Sequence, residues 1–287
     1  MLKQQEVIII GAPRSGTNML RDILTGLDGV DTWPCDEINY IWRHKNVRYP
    51  SDEFPVELAR PEVVKYIRGK FEALRRKTGA QIIVEKTCAN ALRVSFVDKI
   101  LPEAKHIHIY RDGIDAVGSA MLRWSASLDL QYILAKARYV PLTDLPYYGT
   151  RYLWSRLYRF ISPTNRLAFW GPVLNGMDEI LKTHTLEEIC ALQWQRSLDN
   201  ADAAFEKMPS DKVFRIRYED FVSNPDVEFA AIADYLGLEI DQDQLSATVS
   251  RVSNKSVGKG RASLSADVKN RVSNLVGETL DRLGYNR

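Results

Sequence analysis

Hydrophobic positions come in two rhythms along this chain. Short unbroken apolar runs are one of them: Val7 to Ile10, "QIIVEK" (Gln81 to Lys86), "HIHIYRDG" (His106 to Gly113) and "KVFRIRYED" (Lys212 to Asp220). Runs of this length, rich in β-branched residues, predict strands buried on both faces. The other rhythm repeats every three or four residues. Asn18 to Leu27 places Met19, Leu20, Ile23, Leu24 and Leu27 on one face, and Pro61 to Lys77 does the same with Val64, Ile67, Phe71 and Leu74. Further helices are predicted around Val94, Val97, Ile100 and Leu101, ending at Pro102, and over "DAVGSAMLRW" after the third strand. Asn224 to Leu236 is read as a helix stopped at Gly237, and Ser265 to Leu283 as one stopped at Gly284. Strands alternating with helices predict an α/β fold with a mostly parallel sheet and helices on both faces.

The alternation lapses between Ser125 and Leu186. This stretch is rich in Tyr, Trp and Arg and carries Pro141, Pro146, Pro163 and Pro172. We read residues 1–287 as one domain and 125–186 as a mostly helical insertion on it, a candidate acceptor-binding region. Within it, "YYGTRYLWSRLYRF" (Tyr147 to Phe160) interleaves aromatics with arginines. Packing of the insertion, a ring-stacking wall and an interfacial helix are the readings open to it. No internal repeat is visible.

Composition narrows the partners. Apolar residues make up 45% of the 287, enough for a substantial core. With 39 basic residues against 37 acidic ones, no global charge points to nucleic acid, so any anion site must be built locally. Cys35, Cys88 and Cys190 form no C-x-x-C pair and no zinc framework, and His44, His106, His108 and His184 show no ligand spacing. No metal site is expected. "MLKQQEVIII" has too short an apolar run for a signal peptide, and no run approaches the ~20 residues that span a bilayer. A cytoplasmic protein is the expectation, and the oligomeric state is not legible.

Chemistry starts at "VIIIGAPRSGTNML", a strand, a glycine-bracketed loop and a helix start. Gly11 and Gly16 have the spacing of the phosphate-binding pattern G-x-x-x-x-G-K-[ST]. Thr17 stands where that pattern has lysine, and Asn18 where it has the magnesium-binding hydroxyl. Such a loop still presents backbone N–H groups and a helix dipole to an anion, with Arg14 adding charge. What it lacks is the apparatus for a β/γ-phosphate and magnesium. The plainer alternative is a tight turn without a ligand.

A second anion site is suggested further on. Arg111 leaves the end of a predicted strand, where ligands sit in open α/β sheets. Ser119 and Arg123 follow on one helical face. The plainer alternative there is an Arg111–Asp115 surface pair and a helix serine.

These segments together resemble the sulfotransferases that use 3′-phosphoadenylyl sulfate, especially tyrosylprotein sulfotransferases and related bacterial enzymes. "GAPRSGTNMLRDIL" is similar to their 5′-phosphosulfate loop, and "IYRDGIDAVGSAMLR" to their 3′-phosphate motif. "VFRIRYEDFVSNPDVEFAAIADYLGL" and "NKSVGKGRASLS" resemble the following strand and helix and the loop that closes over the cofactor. The resemblance implies a P-loop NTPase-like sheet and direct in-line sulfuryl transfer from 3′-phosphoadenylyl sulfate to a hydroxyl, releasing adenosine 3′,5′-bisphosphate without a metal. It implies cofactor binding by Arg14, Ser15, Gly16, Thr17 and Asn18, by Arg111, Ser119 and Arg123, and by Tyr218, Ser256, Lys259 and Arg261. Lys86 and Arg14 would stabilise charge, and Ser256 would face the bridging oxygen.

Two carboxylates compete for the base. Glu37 in "WPCDEINYIW" lies where the tyrosylprotein enzymes carry theirs, and Glu85 in "VEKT" where several carbohydrate sulfotransferases do. Asp36 clouds the register; Glu37 is favoured and Glu85 is the alternative. The implied acceptor is a sugar hydroxyl on a glycan or glycolipid. The other readings are a tyrosyl-protein or small-molecule sulfotransferase, a degenerate P-loop kinase with Asp112 on magnesium, and a catalytically silent nucleotide-binding protein. Trp194 and Arg196 read as helix core and rim.

Overall fold

The computed structural model describes residues 4–124, 139–150 and 170–285. Five strands form one parallel sheet: β1 (Gln5–Ile10), β2 (Val30–Asp31), β3 (Ile82–Lys86), β4 (Lys105–Tyr110) and β5 (Val213–Arg217), in the order β2-β3-β1-β4-β5. The central strand pairs Val7 with Val84 on one side and Ile9 with Ile107 on the other. Every connection is a crossover, so all strand C-termini open on one edge, where open α/β sheets hold ligands.

The unbroken apolar runs are explained by burial on both faces. Val7 and Ile9 join Val84, Ile107 and Ile109 under α1 (Thr17–Leu24), and Ile8 and Ile10 join Ile83 on the opposite side. That second face is covered by α3 (Pro61–Thr78) and α4 (Val94–Ile100), reached past a short α2 (Asn39–Trp42). β4 feeds α5 (Gly113–Trp124). After α6 (Met177–Thr183), α7 (Leu186–Phe205) begins at a Thr185–Glu188 capping box and packs with α5 around Trp124, Trp194 and Leu198. Beyond β5 come α8 (Tyr218–Ser223), α9 (Pro225–Leu236), α10 (Gln242–Val249), α11 (Lys259–Ser263) and α12 (Ala266–Arg282).

The strand expected over Lys212 to Asp220 ends at Arg217, because Tyr218 already opens α8. The helix expected from Asp115 starts at Gly113, where the Asp112 carboxylate accepts from the Ile114 N–H. β2 and the full length of α7 were not expected. Most of the aromatic and arginine-rich stretch Tyr147 to Phe160 lies outside the described residues, as does the body of the insertion. Among the described residues no helix is long and apolar enough to cross a membrane.

Candidate active site

The loop after β1 reaches its helix through two left-handed residues. Gly16 has φ 90°, and a Cβ there would lie 2.5 Å from the Tyr218 ring, so glycine alone fits. Arg14 has φ 71°, a conformation costing an L-residue about 1–2 kcal/mol. Two bonds hold it there: Arg14 Nε donates to Ser119 Oγ at 3.0 Å, and Arg111 Nη1 donates to the Arg14 carbonyl at 3.0 Å. The two predicted anion sites thus share one floor.

Arg111 is the hub of that floor. Its Nη2 donates to the Ser256 carbonyl at 2.7 Å, and its guanidinium lies 4.4 Å from the Tyr218 ring centre. Trp194 Nε1 donates to the Arg111 carbonyl at 3.1 Å, giving that buried indole a positioning task beyond core packing. Arg196 sits on the rim as expected, paired with Glu53 at 3.0 Å. The Arg111–Asp115 pair exists, but it is no surface pair: both side chains are almost fully buried. Tyr218 OH is 2.7 Å from Ser256 Oγ.

A cavity of about 820 Å³ opens over this floor. Its lining includes Arg14, Gly16, Thr17, Asn18, Arg111 and Ser119, together with Tyr218, Ser256 and Lys259. Three of the predicted cofactor-binding residues do not line it. Ser15 is fully buried behind the loop with its hydroxyl unpaired. Arg123 is on an exposed turn of α5, and Arg261 is held by Asp112 at 2.9 Å. That salt bridge, with the bond to Ile114, engages the carboxylate that a magnesium-dependent kinase would require.

The floor brings two guanidiniums together, Arg14 and Arg111, the second balanced by buried Asp115. Burial, and then Arg123 and Arg111, hold the Arg14 guanidinium below its usual value. No side chain caps the start of α1. Crowded guanidiniums and an uncapped helix start fit a polyanionic group.

At the other end of the cavity the two candidate bases separate. Glu37 lines it, and Glu37 Oε1 accepts from Lys86 Nζ at 3.1 Å and from the Cys88 N–H at 3.2 Å. Asp36 Oδ1 shares the same ammonium at 3.3 Å and is anchored to α1 through Arg21 at 2.9 Å. These carboxylates raise the Lys86 ammonium above its usual range despite burial. Glu85 is 1% exposed and does not line the cavity. Thr87 Oγ1 donates to it at 2.5 Å and Asn90 Nδ2 at 2.9 Å, while burial pushes its carboxyl up to about 7. The Ile38 N–H donates to Thr87 Oγ1 at 3.2 Å, so Glu85 supports the backbone next to Glu37.

Beyond Glu37 the wall turns aromatic: Tyr40, Tyr147, Tyr148 and Trp170, with Asn39 and Asp52 between them. Tyr40 and Tyr148 meet edge to face at 4.7 Å. Asp52 is buried between Arg43 (2.7 Å) and Arg93 (3.4 Å), whose charges hold its carboxyl below the usual range despite burial. His44 Nδ1 lies 2.8 Å from Asp144 Oδ2, docking the segment that carries Tyr147 and Tyr148. Sequence reasoning missed Tyr40, Asp52 and this pair. Only the aromatic density near Tyr147 hinted at the wall. Among the described residues no group of His, Cys, Asp and Glu could hold a metal.

The fold is similar to that of three solved sulfotransferases. One is the sulfotransferase domain from the Synechococcus PCC 7002 olefin synthase, at 15% identity and TM-score 0.57, covering 100% of this chain and 97% of that one. Another is the sulfotransferase domain from the curacin biosynthetic pathway, at 13% identity and TM-score 0.56, covering 100% and 99%. The third is a sulfotransferase from Alicyclobacillus acidocaldarius, at 15% identity and TM-score 0.51, covering 98% and 95%. Identities this low speak for the fold alone. No curated protein sequence matches the chain. The sulfotransferase domain family matches residues 4–277, nearly the whole length, and the chain belongs to that family.

Proposed function

We propose that this protein transfers a sulfuryl group from 3′-phosphoadenylyl sulfate to an acceptor hydroxyl, with Glu37 as the base. The observation that carries the reading is the two-ended cavity. Arg14, Arg111 and the start of α1 gather at one end, and Glu37 and Lys86 meet at the other. When bound, the donor supplies an activated sulfuryl group and a phosphate leaving group, which needs no metal to depart. The chain supplies the rest. The Glu37 carboxylate takes the acceptor hydroxyl proton. Lys86, held beside it, and Arg14 offset charge gathering on the leaving phosphate oxygen. Arg14, Gly16, Thr17 and Asn18 would hold the 5′ end, with Ser15 buried beneath them. Arg111 and Ser119, with Arg123, Lys259 and Arg261 adding charge, would hold the 3′-phosphate. Tyr218 would flank the adenine, and Ser256 would face the bridging oxygen.

The acceptor class we favour is a sugar hydroxyl of a glycan or glycolipid. Flat rings of Tyr40, Tyr148 and Trp170 suit the C–H faces of a sugar, and Asn39 and Asp36 suit its hydroxyls. The test is transfer of radiolabelled sulfate from the donor to a panel of glycans, glycolipids, tyrosyl peptides and simple phenols, in the presence of EDTA. Label in the glycans supports the reading. Label confined to phenols would move the acceptor assignment, and phosphate transfer from ATP would overturn the reaction class.

A further inference from the structure

The segment 256–261 carries Ser256, Lys259 and Arg261, yet what fixes its position is a carboxylate on another helix. Asp115, in the first turn of α5, is 1% exposed. Its Oδ1 accepts from the Gly260 N–H at 2.6 Å and the Arg261 N–H at 3.1 Å. Its Oδ2 accepts from the Gly258 N–H at 3.0 Å and from Arg111 through Nε at 3.1 Å and Nη2 at 2.5 Å. Five donors meet on one buried carboxylate, two from Arg111 and three from backbone N–H groups, that of Gly260 lying 145 residues from Asp115. Only glycine lets them approach so closely: a Cβ on Gly260 would lie 2.0 Å from the Asp115 carbonyl oxygen, and one on Gly118 2.2 Å from the Gly260 carbonyl oxygen.

The consequence falls on Arg111. Of its five N–H groups, two point at Asp115, one at the Arg14 carbonyl and one at the Ser256 carbonyl. One Nη1 hydrogen is left, on a guanidinium that lines the cavity. Ser119 Oγ accepts from Arg14, which leaves its own hydrogen to donate. A head group with that little freedom recognises an anion only where its orientation is fixed.

We propose that Asp115 is the positioning residue that confers selectivity for a 3′-phosphate, by clamping Arg111 and segment 256–261 into one rigid anion receptor. This rests on the reading of the cavity as a site for an adenosine 3′,5′-bisphosphate moiety. The carboxylate touches no ligand; it acts through Arg111, Gly258 and Gly260. An asparagine there keeps the shape but turns an NH2 group toward one set of donors and removes the charge facing Arg111. Electrostatics alone argues for the opposite outcome, since deleting an anion beside an anion site strengthens the site, so the substitution discriminates sharply.

The experiment is calorimetric titration of the full chain, wild type and Asp115→Asn, with adenosine 3′,5′-bisphosphate and with AMP, alongside amide hydrogen exchange. The wild type should prefer the bisphosphate by at least about tenfold. Asp115→Asn should bring the two ligands within about threefold, the bisphosphate losing far more affinity than AMP. Exchange across 256–261 should rise. Gly260→Ala, which forces the same contact apart from the other side, should reproduce both effects if the first variant folds poorly. A variant that keeps the wild-type preference, loses both ligands equally, or binds the bisphosphate more tightly overturns the clamp. A wild type with no preference overturns the two-phosphate reading itself.

Discussion

Glu37 and Lys86 face each other at 3.1 Å in the wall of the cavity, and Asp36 shares the same ammonium. The neighbouring carboxylate Glu85 points away from that space into a buried network with Thr87 and Asn90. One side of β3 therefore presents a cation to the cavity, and the other supports the backbone that carries the proposed base.

Glu37→Gln should lower kcat for sulfuryl transfer by about 10²–10⁴-fold while adenosine 3′,5′-bisphosphate binding stays within about threefold. Glu85→Gln should retain at least about a tenth of the wild-type kcat, because it removes no group from the cavity. Steady-state transfer rates paired with calorimetry separate the two. An inactive Glu85→Gln beside an active Glu37→Gln reverses the assignment.

Gly16→Ala should cut bisphosphate affinity by more than about tenfold. The added methyl meets the Tyr218 ring at 2.5 Å in a left-handed conformation, so the loop or the ring must move. Since Tyr218 also supports Arg111 and Ser256, both anion sites should suffer together. Binding of AMP and of the bisphosphate by the variant checks this; unchanged affinity for either ligand contradicts it.

The expected helices and the strands β1, β3 and β4 were legible because an α/β sheet buried on both faces leaves uninterrupted apolar runs. The end of β5 was not, since "RYED" continues the same rhythm while Tyr218 turns into a helix. The loop after β1 announced itself through Gly11 and Gly16. The choice between Glu37 and Glu85 could not be read from spacing, because it depends on which way each side chain leaves the backbone. Asp115 was visible only as a partner four residues from Arg111; its other partners lie beyond residue 257, a distance no local pattern encodes.

Two buried groups give opposing pH dependences. Burial pushes Glu85 up to about 7, so folding retains its proton and stability falls as pH rises from the unfolded value of 4.5 through about 7. Burial pushes His108 down to about 4, so stability falls as pH drops from the unfolded value of 6.5 toward about 4. Each is worth up to about 3 kcal/mol, at ~1.4 kcal/mol per pH unit, and between about pH 5 and 6.5 they offset. Glu85→Gln should make Tm climb by roughly 3–5 °C between about pH 5 and pH 7, and His108→Leu should make it fall over the same range. Calorimetric melting across that range checks both slopes. A variant that keeps the wild-type slope contradicts the role given to that residue.

His44→Phe should raise KM for the acceptor severalfold and leave bisphosphate affinity alone. Its ring nitrogen holds Asp144, which begins the segment bringing Tyr147 and Tyr148 to the cavity wall. Acceptor saturation curves at fixed donor concentration check this. An unchanged acceptor KM would detach the pair from acceptor binding.

The central claim is that this cavity holds a nucleotide with two separate anionic ends and no metal. Titration of the full chain with adenosine 3′,5′-bisphosphate in EDTA, against ADP with magnesium, tests it most directly. The account predicts micromolar or tighter binding of the bisphosphate, on the order of −8 kcal/mol, and at least about tenfold weaker binding of ADP with or without magnesium. Tight ADP binding that requires magnesium, with no binding of the bisphosphate, would contradict it.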